Sequence, residues 1–446
     1  MRKLFGTDGI RGAANEYPMT IETCQKLAEA IVVKFCSPRE KKHLVVMGRD
    51  TRVSGDMFSK AMAATFYSLG VNVCYESVVS TPHLSIKTAK LGASVGVMIS
   101  ASHNPFYDNG IKLFNESGLK LTEDEEAELE EIMSRKPSLP RATGADIGQE
   151  ISGTAKDYFL YYKKIKRQFN FNDELAERVK IVVDCANGSL AAFFTKYTLN
   201  ELGFENIVLI NNSPDGTNIN KNCGVTCPNV IGEAVLHNKA DIGIAFDGDG
   251  DRVIISDENG KILDGDHILA ILAASEKCDK VVSTIMSNFA LEKYLSSVGI
   301  ELIKTQVGDK YVSERMRETG AKFGAEPSGH VIVASHAYTG DGLFAALKVL
   351  EYMIKNRKKC GELRFFEPCP TVSKNIRVKD KSVVQDESVQ RAIGKFAKQL
   401  EGRGKLIVRP SGTEPVVRIC VEGEDVAELQ NIADELSLII ENLRNG

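Results

Sequence analysis

Three aspartates alternate with glycines in Asp247-Gly248-Asp249-Gly250-Asp251, and Arg252 follows at once. Carboxylates this close repel one another unless they share a cation. The glycines let the backbone wrap tightly enough to aim all three inward. An all-oxygen ligand set favours Mg2+ over zinc or copper. A calcium EF-hand is one rival reading, since Glu258 falls at the twelfth position counted from Asp247. That loop needs glycine at its sixth position, where Arg252 stands, and helices on either side, where the flanks read as strands. A solvated acidic turn is the plain alternative.

Four further segments carry chemistry. In Ser100-Ala101-Ser102-His103-Asn104-Pro105, the Asn-Pro step forces a turn. A serine held there could act as a nucleophile or phosphate carrier, although the segment taken alone fits a plain turn. His103 is adjacent, and adjacent side chains rarely face each other, which argues against a Ser/His hydrolase. Arg409-Pro410-Ser411-Gly412-Thr413-Glu414-Pro415, with Arg418 nearby, joins two strands. Backbone N–H groups around Gly412, two hydroxyls and a guanidinium make an anion nest suited to phosphate. An ordinary hairpin explains Gly412 and Pro415 but not Arg409, Ser411 and Thr413 together. In Glu326-Pro327-Ser328-Gly329-His330, an extended loop would turn Glu326 and Ser328 to one side, where they could grip two sugar hydroxyls. His330 could bind phosphate when charged, or move a proton. Arg11, within Gly6-Thr7-Asp8-Gly9-Ile10-Arg11-Gly12, is a candidate phosphate contact; a flexible start with a surface arginine fits nearly as well.

The elements that must hold these loops form a weak repeat. Leu44–Gly48, Val71–Tyr75 and Gly96–Ser100 read as strands separated by helices, and the third opens into the Ser102 loop. Lys180–Asp184, Ile207–Ile210 and Asp241–Phe246 repeat that order and open into the aspartate loop. Val281–Thr284, Ile300–Ile303, a helix over Tyr311–Thr319 and a short strand repeat it again and reach Glu326. Continuous apolar strands alternating with helices imply parallel strands covered on both faces. Ligands of such sheets bind at the carboxyl ends of strands, where each copy puts its most polar loop. The C-terminal 80 or so residues differ: strands at Thr371–Val378, Lys405–Val408 and Val416–Val421, with amphipathic helices at Val384–Leu400 and Val426–Leu443, make an α+β module. Arg135–Gly153 reads as an exposed connection.

The 446 residues are 43% apolar and 26% charged, ordinary for a soluble chain, with a net charge of −4. No basic field for nucleic acid is expected, and Lys163-Lys164-Ile165-Lys166-Arg167 reads as a solvated helix face. No segment has the apolar length of a membrane span, and the start lacks a signal core. Ten scattered cysteines without zinc spacing point to a reducing, cytoplasmic setting.

Together, Ser102-His103-Asn104-Pro105, Asp247–Arg252 and Arg409-Pro410-Ser411-Gly412-Thr413 resemble the α-D-phosphohexomutases over essentially the whole chain. Phe5–Gly12, Val307-Gly308-Asp309 and Thr339-Gly340-Asp341-Gly342 are similar to the branch that acts on glucosamine phosphates. Lys310 stands where that pattern has arginine, and Pro327 where many members carry a polar residue. The resemblance implies three related mixed-sheet α/β domains and a C-terminal α+β phosphate-binding domain, arranged as a heart. The expected boundaries are 1–153 with the serine loop, 154–253 with the metal loop, 254–367 with the sugar loop, and 368–446. It implies Ser102 as phosphoserine; Asp247, Asp249 and Asp251 holding one Mg2+ with the Ser102 phosphate; and Lys112 as general base. Arg11 would lie near the phosphoserine, and His330 at the catalytic centre. Glu326, Ser328 and Arg252 would bind sugar, and Arg409, Ser411, Gly412, Thr413 and Arg418 the distal phosphate.

The implied reaction interconverts glucosamine 6-phosphate and glucosamine 1-phosphate, feeding UDP-N-acetylglucosamine and cell-wall precursors. A hexosamine or glucose 1,6-bisphosphate would be the activator. Lys112 as base requires a depressed pKa. Sugar phosphates are the expected partners, with neither nucleic acid nor membrane, in a monomer or homodimer. A phosphomannomutase/phosphoglucomutase, a Mg2+-dependent sugar phosphatase and a non-catalytic sensor are the alternatives.

Overall fold

The structure is a computed structural model that describes residues 4–36, 43–135, 138–151, 159–171, 174–191, 193–411 and 415–445. They form two compact units, Met1–Met286 with Ile300–Arg364, and Ser287–Gly299 with Phe365–Gly446.

The first unit holds three sheets. The strands are β1 (Ile10–Ala13), β2 (Leu44–Arg49), β3 (Asn72–Val78), β4 (Val95–Ile99) and β5 (Asp108–Asn115) in the first; β6 (Ile181–Asp184), β7 (Ile207–Ile210), β8 (Ile242–Phe246), β9 (Val253–Asp257) and β10 (Ile262–Leu263) in the second; and β11 (Lys280–Thr284), β12 (Glu301–Thr305), β13 (Phe323–Ala325) and β14 (Val331–Val333) in the third. Their orders are β1-β5-β4-β2-β3, β10-β9-β8-β6-β7 and β12-β11-β13-β14. Each contains the same motif: a parallel trio with its first strand in the middle, then an antiparallel fourth strand beside the third. The repeat read from the sequence is therefore real, its apolar strands form the parallel trio, and the antiparallel fourth strand makes each sheet mixed, as the resemblance implies. The Ser102, aspartate and Glu326 loops are the three connections from third to fourth strand, so one topological position is used three times.

Burial on both faces explains the continuous apolar strands. Val45 and Met47 face a core with Phe58 and Leu27, while Val46 faces another with Leu84 and Met98. Full burial of each such side chain contributes about 1.5–3 kcal/mol. The helix Thr81–Leu91 starts where Ser80 accepts the His83 N–H and Pro82 occupies the first turn, and it ends at the left-handed Gly92. The connection after Arg135 is largely exposed, as expected, but its end extends the first sheet. Val73 donates to the Gln149 carbonyl at 3.0 Å, and Ile151 donates back to Val73 at 2.8 Å.

In the second unit, β15 (Thr371–Arg377), β16 (Lys405–Pro410) and β17 (Val416–Glu422) form an antiparallel sheet in the order β15-β17-β16. The helix Val426–Asn445 covers it, with Leu429, Ile432 and Leu436 in the core. The single helix expected over Val384–Leu400 is divided. A short turn at Lys381–Gln385 precedes the helix Glu387–Gln399, because Asp386 accepts the Ser388 N–H at 2.8 Å and caps a new start.

Candidate active site

Ser102 sits just past β4 with φ +53°, a left-handed conformation that serine adopts rarely. Three hydrogen bonds hold it there. Its N–H donates to Ser100 Oγ at 2.9 Å, and its carbonyl accepts Arg52 Nη2 at 2.9 Å and Asn220 Nδ2 at 2.8 Å. Arg52 is fully buried, pairs with Asp50 at 2.8 Å, and also donates to the carbonyls of Asn104 (2.8 Å) and Asp108 (3.0 Å). The serine loop is thus wrapped around one buried guanidinium. Neither Arg52 nor Asp50 was singled out from sequence; the available signal was a charged Asp-Thr-Arg step directly after an apolar strand.

The Ser102 hydroxyl donates to Asp247 Oδ2 at 2.6 Å. Adjacent His103 does reach it, with Nδ1 3.3 Å from Oγ, because the left-handed serine turns the two side chains together. The pair is thus one of the rare adjacent pairs that do face each other. Burial, with Arg252 and Arg11 nearby, pushes the His103 imidazole down to about 4.

The aspartate loop runs from β8 to β9, so strands flank it and the EF-hand alternative fails. It is no solvated turn either: Asp247, Asp249 and Asp251 are all buried. One oxygen from each lies within 4.8 Å of the others. Gly250 takes φ +72°. Gly248 lies so close to the serine loop that a Cβ there would meet the Ser102 carbonyl at 2.7 Å. The start of the helix Thr81–Leu91 clamps the loop: Thr81 donates from N to the Asp249 carbonyl at 2.9 Å and from Oγ1 to Asp249 Oδ2 at 2.6 Å. Asp249 Oδ1 and Asp251 Oδ1 are buried without a hydrogen-bond partner. Orphaned carboxylate oxygens in an all-oxygen cluster fit a hard divalent cation such as Mg2+.

Lys112, on β5, reaches Asp249 and Asp251 at 2.8 Å each and Asp8 at 3.1 Å. Burial pulls its amine down, but these three carboxylates together push it well above the usual lysine value. The depressed pKa expected of a general base is therefore corrected: in this arrangement Lys112 is an ammonium. Asp251 is held well below the carboxylate range against burial, chiefly by Lys112 and His330. Asp247 is driven well above it by burial and by the charges of Asp251 and Asp249, which outweigh Arg252 and the Ser102 hydroxyl.

The remaining candidates of this unit converge here. Arg11 pairs with Asp8 and reaches Asn104 Oδ1 at 3.4 Å, so it does stand at the serine loop. Arg252 feels Asp251, Asp247 and Glu326 while its Nε is buried without a hydrogen bond. His330 lies 3.7 Å from Asp251 and 3.2 Å from Asp309. Burial lowers its pKa, and those carboxylates raise it above the usual value. The Gly340 N–H, 2.9 Å from Nε2, favours the neutral ring instead. Asp8, Lys120 and Asp309 were missed as site residues, yet Lys120 bridges the two carboxylates. Lys310 points away, to Glu126 at 3.0 Å.

Residues Glu326–Gly329 do not form an extended loop. The Gly329 N–H bonds the Glu326 carbonyl at 3.0 Å and the chain turns, burying Glu326 and exposing Ser328. The same-side argument for that pair fails for this reason. Glu326 Oε1 accepts the Gly308 N–H at 3.1 Å, and burial, then Asp309, raises its pKa.

In the second unit, Arg409 and Arg418 are direct partners across the β16–β17 ladder. Burial and the Arg418 charge both lower the Arg409 pKa. Like charges directly opposite each other are unfavourable unless an anion is shared. Ser411 is buried, its N–H bonds the Val416 carbonyl at 2.9 Å, and its own carbonyl accepts Lys381 Nζ at 2.5 Å. Gly412 and Thr413 lie outside the described residues.

The chain matches the Phosphoglucomutase/phosphomannomutase alpha/beta/alpha domains I, II and III over residues 2–139, 160–260 and 264–368, and the C-terminal domain over 374–439. It is 43% identical over 443 residues to a phosphoglucosamine mutase of Zymomonas mobilis, covering 98% of each chain. It is 44% identical over 449 residues to one of Gluconacetobacter diazotrophicus, covering 99% of this chain and 98% of that one. A phosphoglucomutase/phosphomannomutase family protein from Burkholderia thailandensis has the same fold, with a TM-score of 0.82 at 22% identity over 100% of this chain and 98% of that one.

Proposed function

Because the chain belongs to the phosphoglucomutase/phosphomannomutase family of sugar-phosphate mutases, we propose that it interconverts glucosamine 6-phosphate and glucosamine 1-phosphate with Ser102 as phosphoryl carrier. The observation that carries the serine is its hydroxyl, 2.6 Å from Asp247 at the rim of a buried three-carboxylate cage. The choice of sugar rests on the phosphoglucosamine mutases that are 43–44% identical over nearly the full chain.

Phosphorylated Ser102 gives its phosphoryl group to the free sugar hydroxyl, whose proton leaves with a nearby base. The bound 1,6-bisphosphate turns and returns its other phosphoryl group to the serine oxygen. One hexosamine phosphate thus becomes the other with no net phosphate released. Asp247, Asp249 and Asp251 would hold Mg2+ together with the Ser102 phosphate, and the cation would offset charge at the transferring group. Lys112, beside Asp249, Asp251 and Asp8, would take the hydroxyl proton when those carboxylates no longer hold it as an ammonium. Arg11 orients the serine loop through Asn104. Arg252 brings positive charge beside Glu326 on the sugar side, and His330 stands next to Asp251 and Asp309. Arg409, Ser411 and Arg418, with Gly412 and Thr413, hold the phosphate that is not in transfer, because a nest of this kind reads phosphate rather than sugar.

A hexosamine or glucose 1,6-bisphosphate recharges the serine. Among the described residues, no helix is long and apolar enough to cross a membrane. We place the enzyme in the cytoplasm, as a monomer or homodimer, supplying the amino-sugar 1-phosphate for activation.

Mutase rates with glucosamine 6-phosphate, glucose 1-phosphate and mannose 1-phosphate test this reading, with Mg2+ and a trace of the matching bisphosphate. The glucosamine substrate should be strongly preferred. Preference for glucose or mannose phosphates would overturn the sugar assignment, with Pro327 the first suspect. Net release of inorganic phosphate in place of isomerised sugar would overturn the mutase.

A further inference from the structure

The proposed reaction makes no use of a cleft of about 590 Å³ in the first unit, whose lining includes Lys90, Lys163, Lys164 and Arg167. From sequence, Lys163–Arg167 looks like a solvated helix face, and the structure divides it. Lys166 pairs with Glu201 at 2.7 Å, and Ile165 is buried. The other three cations of that run line the cleft, joined by Lys90 from the end of the helix Thr81–Leu91. Among the described residues, none of these four has a carboxylate within ion-pair distance, whereas most lysines and arginines that touch the catalytic centre do. Lys164 is half-buried and donates to the His336 carbonyl. Burial lowers its amine pKa, Asp341 partly restores it, and Lys90 lowers it again. Four cations share one concavity, and among the described residues none of them makes an ion pair there.

The rest of the wall is of another kind. Ile86, Leu160 and Tyr338 give it an apolar side. Gln168 Nε2 lies 3.1 Å from His336 Nδ1, and the His336 ring is fixed by Asp341 at 2.8 Å and by stacking on Phe344 at 3.8 Å. These polar groups are therefore set in place by packing rather than left mobile. Volumes of about 300–1,000 Å³ with an apolar lining and a few fixed polar groups are those of small-molecule sites. Clustered cations without partners select phosphate, and more than one of them.

We propose that this cleft binds an organic diphosphate of nucleotide size, its phosphates among Lys90, Lys163, Lys164 and Arg167 and its organic part against Ile86, Leu160 and Tyr338. Two of the cleft's lining residues are close in the chain to residues of the catalytic centre. Leu119 precedes Lys120, which bridges Asp8 and Asp309, and Tyr338 stands two residues before Gly340, whose N–H meets His330. An occupant is thus placed to influence turnover.

Titration calorimetry of the full chain with adenosine diphosphate as probe, at low salt, tests this. Wild type should bind. The Lys163→Ala/Arg167→Ala chain should bind at least about tenfold more weakly, having lost two charge-assisted contacts, while keeping its mutase rate. Asp249→Asn should leave the affinity unchanged, which separates this cleft from the catalytic centre. Pyrophosphate should bind at least about tenfold more weakly than the nucleotide, because it lacks the part that meets the apolar wall. No binding at millimolar probe, equal affinity in the double variant, or loss of binding in Asp249→Asn would each overturn the site. Equal affinity for pyrophosphate would overturn the organic half of the ligand.

Discussion

Two clusters of like charge, one in each unit, are built to opposite sign. In the first unit, Asp247, Asp249 and Asp251 are buried together, and two of their oxygens lack any hydrogen bond. In the second, Arg409 and Arg418 face each other across a ladder, and the Arg418 charge adds to burial in lowering the Arg409 pKa. Neither arrangement is a good way to stabilise a fold, and each is relieved by a ligand of the opposite charge. The carboxylates are enclosed and rigid, as a small hard cation requires. The arginines are only partly buried, as suits an anion that must enter and leave with its sugar. On the proposed reading, the carboxylate cluster keeps its ligand and the arginine pair exchanges it.

The largest effect should come from the anionic cluster. Asp249→Asn is expected to lower kcat by about 100- to 1,000-fold, the cost of one preorganised charge at the transferring group. Its rate should also lose most of its dependence on Mg2+ concentration. An undiminished metal dependence would remove the cation from this site. Arg409→Met should lower kcat/KM by about 10- to 100-fold, mainly through KM, as for hydrogen bonds to a charged group. The ligand-free variant should unfold at the same temperature as wild type or a higher one, since a like-charge pair has been relieved. A clear fall in Tm would show that the pair stabilises the sheet and is not held ready for an anion. Ligands should divide the same way by a smaller margin. Millimolar Mg2+ should raise the Tm of wild type and Arg409→Met by roughly 1–3 °C but not that of Asp249→Asn, and phosphate should do the reverse.

The smallest effect concerns a compensated cluster that serves as the contrast to both. Buried Glu76 meets Lys87 at 2.5 Å and His83 at 3.5 Å. Against the upward push of burial, these two hold its carboxyl at about 2, below the ordinary 4.5. The folded chain therefore binds this proton less readily than the unfolded chain. The stability it contributes is present above about pH 4.5 and is lost as pH falls through about 2. Acid unfolding followed for wild type and Glu76→Gln should show wild type losing more stability across that window; parallel curves would contradict the pairing.

Much of the architecture was legible because its signals are local. Three apolar strands in the same order, each time ending in a polar loop, gave the repeat and the places of Ser102, Asp247 and Glu326. The fourth strand was not, at least in the first copy: β5 opens with Asp108-Asn109-Gly110, which reads as a turn, and carries Lys112 in its middle. Arg52 was invisible because its function is geometric, to collect the carbonyls of a loop 50 residues away. The charge of Lys112 could not be read either, since it is set by carboxylates from the N-terminal loop and from the second sheet. The extended path read for Glu326–Ser328 fails because Gly329, at φ +90°, folds the segment into a turn.

The most direct measurement is the mutase rate of Ser102→Ala, set beside phosphate incorporation from labelled bisphosphate into wild type. Wild type should take up one phosphate per chain at Ser102 and pass it to the sugar phosphate, and the variant should take up none and turn over no substrate. A variant that still isomerises glucosamine 6-phosphate near the wild-type rate would contradict the serine carrier, and with it the reading of the aspartate cage.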